Sequence, residues 1–163
     1  MEGTCPWLER LAPRTPTPRR RLVCCHHAGG GASAFEGWAG WLPETVELLA
    51  VQLPGREGRL REPLVRSMAE VVPPILDALA PWADRPLAFF GHSTGGLIAF
   101  EVARGLRARG LPEPRLLVVS SQNGPRVEPV PRHLLPDDDF IEILRGCQGT
   151  PDAVLDNPKL LAL

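Results

Sequence analysis

The 163-residue chain has few cysteines, almost no net charge and no long apolar run. A formal net charge of −1 and a pI near 6.4 provide no basic surface of the kind that neutralises phosphates. No apolar stretch is long enough to cross a bilayer, so we expect neither a nucleic-acid partner nor a membrane partner. The four cysteines are too few and too irregularly spaced for a disulfide framework, which favours reduced thiols.

The first 21 residues lack the order of a secretory signal, because their arginine cluster comes late and prolines interrupt any apolar core. We therefore predict a flexible leader over residues 1–21 and a cytoplasmic protein. Residues 22–163 suit one globular domain, since 44% of the chain is hydrophobic and 23% is charged. The late arginine cluster is Arg19, Arg20 and Arg21, and the interrupting prolines are Pro13, Pro16 and Pro18.

Short apolar runs alternate with amphipathic segments along the chain. The runs predict strands over 22–25, 46–51, 87–90 and 116–119, and the segments predict helices over 34–42, 68–82, 97–109, 140–145 and from 158 onward. This alternation favours a mostly parallel sheet with helices on both faces, because parallel neighbours need a crossover between them. The predicted fold class is therefore α/β.

Two serines are predicted as helix N-caps. Ser33 precedes the first helix, whose aromatic residues recur every third position and should share one side. Ser67 stands three residues before Glu70, which is the spacing of a capping box. Two prolines fall inside the helix that follows Ser67, so they either kink it or mark its start. The aromatic residues are Phe35, Trp38 and Trp41, and the prolines are Pro73 and Pro74.

The segment Gly91-His92-Ser93-Thr94-Gly95 lies between a predicted strand and a predicted helix. A nucleophile at such an elbow needs a strained turn, and small residues two positions before and after it relieve the crowding. This context predicts Ser93 as a catalytic serine, although a simple glycine-rich turn is the alternative. The helix N-terminus behind Ser93 adds positive potential, and the amide of Thr94 is placed to bind an oxyanion.

A second glycine-rich segment, His26-His27-Ala28-Gly29-Gly30-Gly31, leaves the first predicted strand. A glycine-rich loop after an early strand, followed later in the chain by a nucleophile elbow, predicts the amide of Ala28 as a further oxyanion donor. A plain turn is the simpler interpretation. The adjacent Cys24, Cys25, His26 and His27 suggest metal ligands. Neighbouring strand residues point to opposite faces, however, so these four cannot converge on one ion and no metal site is expected. No cofactor is expected either.

A general base for Ser93 is harder to identify. His92 is next in sequence but should point away from the elbow, which favours a packing or hydrogen-bonding role. His27 could lie near the site and is the better substitute. His133 falls in a proline-rich connection and is predicted to be a solvated surface residue.

Acidic and basic residues elsewhere have simpler explanations. The aspartates 137–139 are predicted to start a helix, where the helix dipole stabilises them. Arg56 and Glu57 follow the end of a strand, where open α/β sheets bind ligands, so they either border the site or form a surface ion pair.

Four stretches of the sequence resemble a known family. They are HAGGGASAF at 27–35, LPGRE at 53–57, RPLAFFGHSTGG at 85–96 and DDDFIEILRGCQGTPDAVLDNPKLLAL at 137–163. They are similar to the stand-alone (type II) thioesterases of polyketide and nonribosomal peptide synthesis, α/β-hydrolases related to the animal medium-chain acyl-carrier thioesterase. The resemblance implies that Ser93 takes an acyl group from the phosphopantetheine thioester of a carrier protein. Water then releases the acid, which clears misprimed or stalled carriers.

The chain departs from the family pattern in three ways. Cys25-His26 stands where Phe-Pro is usual, and Thr94 stands where Met is common. The strands that bring the family's triad aspartate and histidine do not follow. The resemblance thus implies that 22–163 is the N-terminal part of a thioesterase domain, with a lid beginning at about 125 and the last strands absent. We expect weak activity and marginal folding of this chain alone. Two alternatives stay open, a non-catalytic remnant and a general esterase.

Overall fold

Five strands form one sheet in the order β1-β3-β2-β4-β5. The computed structural model describes residues 5–11, 18–121, 134–147 and 150–161. The chain divides into two compact units, Met1–Gln122 and Asn123–Leu163, and the sheet belongs to the first. The strands are β1 (Leu8–Leu11), β2 (Arg20–Cys25), β3 (Val46–Val51), β4 (Leu87–His92) and β5 (Leu116–Ser120).

Four of the strands are parallel, which confirms the predicted α/β class. Strand β2 pairs in parallel with both β3 and β4, and β4 pairs in parallel with β5. In this register Cys25 lies opposite Gly91, and His92 lies opposite Ser120. Because parallel strands end at the same edge of a sheet, the segments that follow β2, β3 and β4 leave side by side.

Strand β1 was not predicted and lies within residues 1–21, where we expected a flexible leader. It runs antiparallel to β3, with Leu8 opposite Val51. Arg10 of this strand forms an ion pair with the buried Glu47 of β3 at 2.5 Å. A four-residue strand with two charged residues has no apolar run to signal it, so its pairing with β3 decides its conformation. The leader prediction is therefore wrong for Leu8–Leu11, and also for Arg20 and Arg21, which begin β2.

Alternate residues of the central strands are buried on opposite faces of the sheet. Val23 and Leu49 pack on one face beneath two helices, whereas Cys24 and Leu48 pack on the other with Phe35. Both faces of the sheet are thus covered, which explains why β2 and β3 read as nearly continuous apolar runs.

Helix α1 (Met68–Leu79) begins at the predicted capping box. The Ser67 hydroxyl accepts a hydrogen bond from the Glu70 amide at 3.3 Å and donates one to the Glu70 carboxylate at 2.8 Å. The cap at Ser67 is therefore confirmed. Pro73 and Pro74 lie inside the helix and do not start it.

Helix α2 (Thr94–Ala108) packs closely against α1. A Cβ at Gly105 would lie 2.5 Å from Cδ1 of Leu76, so the absence of a side chain at Gly105 permits this approach. The helix ends shortly before Gly110, which has a φ of +67°. This is the left-handed conformation with which glycine commonly terminates helices.

The first predicted helix is a 3₁₀ helix over Ala32–Gly40. Ser33 lies inside it, and its N-cap residue is Gly31, so the predicted N-cap at Ser33 is wrong. Phe35 and Trp38 pack edge to face at a centroid distance of 5.4 Å. Trp41, at the C-terminal end, is 89% exposed and does not join them.

The second unit contains α3 (Asp137–Gly146), α4 (Asp152–Leu155) and α5 (Pro158–Leu161). The three aspartates 137–139 occupy the first turn of α3, as predicted. Arg145 in the last turn donates to Asp152 at 2.6 Å and to Asp156 at 2.8 Å, which ties α3 to α4. No helix in the described ranges is long and apolar enough to cross a membrane.

Candidate active site

Ser93 alone joins the end of β4 to the start of α2. Its φ of 52° and ψ of −124° are strained for a residue with a side chain and cost on the order of 1–3 kcal/mol. Two hydrogen bonds hold this conformation. The Ser93 amide donates to the Ser120 carbonyl at 2.8 Å, and the Gly96 amide donates to the Ser93 carbonyl at 2.8 Å. The predicted elbow is therefore present, and α2 begins immediately after it at Thr94 and not at 97.

Two glycines allow the backbone to crowd around this elbow. A Cβ at Gly91 would lie 2.6 Å from Cα of Gly96, and a Cβ at Gly95 would lie 2.5 Å from the His26 carbonyl oxygen. Both positions are buried against main-chain atoms. The motif therefore needs glycine at these positions for close packing, in agreement with the reason given for their spacing.

The segment after β2, residues 27–31, is called here the glycine loop. The Gly30 amide donates to the His27 carbonyl at 3.1 Å, and Gly29 has a φ of +81°. Ala28 lies within this tight turn and is exposed. Since Cys25 pairs with Gly91, the glycine loop and the elbow leave neighbouring strand ends, as the sequence analysis expected. Thr94, the second predicted oxyanion donor, is the first residue of α2 and is also exposed.

His92 lies beside the elbow and has a polar partner. Its Nδ1 is 3.0 Å from the Ser120 hydroxyl, and its ring stands edge to face with that of His27 at a centroid distance of 6.0 Å. Ser120 thus contacts both the His92 ring and the Ser93 amide. A histidine therefore does lie next to the elbow, which counts against the expectation that this chain has no histidine for Ser93, although the contact alone does not establish a triad.

Two further sets of candidate partners came from the sequence. His133 lies outside the described residues, and the aspartates 137–139 belong to the second unit.

His26 is a buried residue whose environment the sequence did not reveal. Its Nδ1 donates to the His27 carbonyl at 2.8 Å, while Nε2 is buried without a hydrogen-bond partner among the described residues. Burial lowers the pKa of His26, and the backbone hydrogen bond only partly opposes that effect. The neutral imidazole is therefore the favoured form.

The run Cys24–His27 does not form a ligand cluster. Cys24 and Cys25 are buried free thiols, whereas His27 is exposed. Burial raises the pKa of Cys24 to about 12, so the thiolate that a metal would need is disfavoured. Among the residues that the structure describes, no group of three histidine, cysteine or acidic side chains could hold a metal ion.

The segment after β3, residues 52–60, is called here the β3 loop, and it contacts the glycine loop region. Gln52 follows β3 directly and is 1% exposed, and its Oε1 accepts from the Ala32 amide at 2.8 Å. Glu57 accepts hydrogen bonds from the Ser33 hydroxyl at 2.5 Å and from the Ser33 amide at 3.3 Å. Sequence reasoning missed Gln52. The available signal was a polar residue between a buried strand and a Leu-Pro-Gly turn.

Arg56 lies in the β3 loop and is half-buried. Its Nη1 is 3.5 Å from the Gly55 carbonyl oxygen. Glu57 is engaged with Ser33, and no ion pair joins it to Arg56 in the part of the chain that the structure describes. The surface ion pair that the sequence left open is therefore not formed.

Comparisons with known proteins identify a family. The family model for the Thioesterase domain matches residues 20–163. The chain is 39% identical over 145 residues to the gramicidin S biosynthesis protein GrsT of Aneurinibacillus migulanus, covering 88% of this chain and 57% of that protein. It is 40% identical over 159 residues to thioesterase PikA5 of Streptomyces venezuelae, covering 96% and 56%.

A solved structure gives the same result at the level of the fold. YbtT, a type II thioesterase from the yersiniabactin nonribosomal peptide and polyketide pathway, matches with a TM-score of 0.80 at 30% identity. The match covers 96% of this chain and 64% of that one. The chain therefore spans somewhat more than half the length of each of these three proteins.

Proposed function

Because this chain belongs to the thioesterase family of α/β-hydrolases, with type II thioesterases of nonribosomal peptide and polyketide pathways as relatives, we propose that it carries the nucleophile of a serine thioesterase. The substrates are acyl groups on the phosphopantetheine of acyl- or peptidyl-carrier proteins. The reaction serves editing or release in polyketide, nonribosomal peptide or fatty-acid-like biosynthesis. The main support is the strained conformation of Ser93 at the strand-to-helix elbow.

In the proposed reaction, the Ser93 hydroxyl oxygen attacks the thioester carbonyl carbon, and a general base takes the hydroxyl proton. The amides of Ala28 and Thr94 hold the developing oxyanion, aided by the N-terminal end of α2. Collapse of the tetrahedral intermediate breaks the carbon–sulfur bond, and the pantetheine thiol leaves with a proton. Water then attacks the acyl-enzyme by the same route and releases the acid.

The border of the proposed site includes His27 and Arg56. His27 is exposed in the glycine loop, and its contact with His92 supports a position close to the elbow. It is the first candidate for a substitute base where no triad histidine serves Ser93. Arg56 belongs to the β3 loop, which follows the neighbouring strand, and its carbonyl accepts from Gln52 at 3.0 Å. A cytoplasmic location, expected from the sequence, is part of this proposal.

The test is to incubate the full-length protein with an acyl-pantetheine thioester and to measure both turnover and the acyl adduct by mass spectrometry. Ser93→Ala should remove the adduct and the turnover. Ser67→Ala, which lies in the capping box of α1, is a matched control that should keep both. An adduct that persists in Ser93→Ala would contradict the assignment. Faster hydrolysis of simple esters than of carrier thioesters would favour a general esterase.

A further inference from the structure

The glycine loop and the β3 loop leave neighbouring strands at the same edge of the sheet. Strands β2 and β3 pair in parallel, with Cys24 opposite Ala50. Residues that follow these strands are therefore close in space although more than twenty positions separate them in sequence. Contacts from the β3 loop to the residues that directly follow the glycine loop can fix the position of backbone amides within the glycine loop.

Gln52 makes the first contact from a buried position. Its Oε1 accepts from the Ala32 amide at 2.8 Å, and its Nε2 donates to the carbonyls of Arg56 at 3.0 Å and Leu53 at 3.3 Å. The oxygen of this side-chain amide thus binds Ala32, outside the β3 loop, while its nitrogen binds carbonyls within the β3 loop. Breaking a buried contact of this kind leaves polar groups unsatisfied, so the arrangement resists displacement.

Glu57 makes the second contact from a strained position. It has a φ of 45°, which a residue with a side chain holds only where its surroundings demand it. Its carboxylate accepts from the hydroxyl and the amide of Ser33. A Cβ on Gly31 would lie 2.7 Å from Cγ of Glu57, so the last glycine of the glycine loop leaves the space that this side chain fills.

These contacts hold Ala32 and Ser33, the two residues that directly follow the glycine loop, and so fix the far end of the turn that contains Ala28. Its near end is the residue after β2, His26, whose carbonyl packs against Gly95 of the elbow. We infer that Glu57, acting through Ser33, is a positioning residue that orients the Ala28 amide toward the oxyanion, with Gln52 anchoring the same loop. This inference rests on the proposed function, in which that amide is a donor.

The test uses two serine–glutamate pairs of the same full-length protein. Ser33–Glu57 is the pair in question, and the exposed Ser67–Glu70 capping box is the matched control, since it also joins a serine to a glutamate but belongs to the start of α1 and makes its hydrogen bonds there. The alanine variants of all four residues are assayed for kcat and KM on an acyl-pantetheine thioester. Binding of an alkyl boronic acid, which forms a tetrahedral adduct with a catalytic serine, and thermal unfolding are measured beside them.

We expect Glu57→Ala to lower kcat by about 10²-fold, which is the usual effect of a 1 Å misplacement. KM should stay unchanged, and the affinity for the boronic acid should fall in parallel with kcat. Glu57→Gln keeps an acceptor oxygen and should retain most of the activity. The double variant of Ser33 and Glu57 should be no slower than Glu57→Ala, because the two residues act as one unit. The control variants should change thermal stability without changing kcat.

Equal kcat values for Glu57→Ala and Glu70→Ala would overturn the inference. It would also be overturned if the loss of kcat in the double variant equalled the product of the losses in Ser33→Ala and Glu57→Ala. If Glu57→Ala does not fold, the kcat of Ser33→Ala decides the question. The Ser33 side chain is exposed, so shortening it leaves no cavity in the protein. An active wild type, an inactive Ser93→Ala and a fully active Glu57→Ala would refute only the positioning role. A wild type without thioesterase activity would refute the proposed function, and the inference with it.

Discussion

Replacement of Gly95 by alanine tests whether close packing of the elbow against β2 determines both stability and activity. A Cβ at this position would lie 2.5 Å from the His26 carbonyl oxygen, and the Cys25 carbonyl is closer still. Ordinary contacts begin at 3.4 Å, so the backbone would have to separate by at least about 0.9 Å. Strand pairing of Cys25 with Gly91 opposes that movement, because β2 and β4 are hydrogen-bonded to each other at this point.

The expected effect follows from two opposing contributions. Overpacking against unyielding atoms costs about 1–3 kcal/mol, whereas alanine in place of glycine gains at most about 1 kcal/mol within a helix. Gly95 lies in the first turn of α2, where that gain is small. A net loss of about 1–3 kcal/mol should lower Tm by roughly 2–12 °C for a domain of this size. A shift of nearly 1 Å should also lower turnover by about 10²-fold.

The assay is thermal unfolding of the full-length protein together with acyl-pantetheine hydrolysis. Gly37→Ala is the control, because a Cβ there meets nothing within 4 Å. Gly105→Ala should be intermediate, since its Cβ meets the flexible end of Leu76 and not backbone. A Tm for Gly95→Ala that equals the Tm of Gly37→Ala would refute the reasoning.

Further predictions concern an amide, the thiols and a histidine. Ala28→Pro removes one proposed oxyanion donor and should lower turnover by about 10²- to 10³-fold, whereas an unchanged rate would reject that donor. Iodoacetamide should modify the exposed Cys147 before the buried Cys24, whose pKa is raised to about 12; early labelling of Cys24, measured by mass spectrometry, would contradict this. Burial holds the pKa of His26 below its value of about 6.5 in the unfolded chain, so the unfolded state binds the proton more readily. The stability that depends on neutral His26 is present above about pH 6.5 and is lost as the pH falls through the pKa of His26 in the folded state. His26→Leu should therefore reduce the fall of Tm as the pH is lowered. An identical slope of Tm against pH in the wild type and in His26→Leu would contradict this prediction.

Several elements could be predicted because short-range forces determine them. The strand Val46–Val51 has the predicted bounds, since a run that is apolar except for Glu47 can satisfy burial only within the sheet. The cap at Ser67 depends on a residue three positions away. The elbow at Ser93 follows from the glycines on either side of it, which are the residues that a strained turn requires.

Local patterns failed where a distant partner decides the conformation. Ser33 is bonded to Glu57, 24 positions away, and so is not the helix cap that its neighbours suggested. In the sequence, His26 is one of four consecutive cysteine and histidine residues that suggested metal ligands. In the structure it is buried, whereas the next residue, His27, is exposed.

The sequence by itself determined the class of the fold, the position of the elbow and the resemblance to thioesterases, because each depends on patterns among residues that are close together along the chain. Only the tertiary structure decided that Leu8–Leu11 is a strand and that Gln52 reaches Ala32, 20 positions earlier. The physical reason is that strand pairing and buried hydrogen bonds depend on which segments the sheet brings side by side. A short segment such as Leu-Glu-Arg-Leu, or a single glutamine, does not indicate which distant segment it will contact.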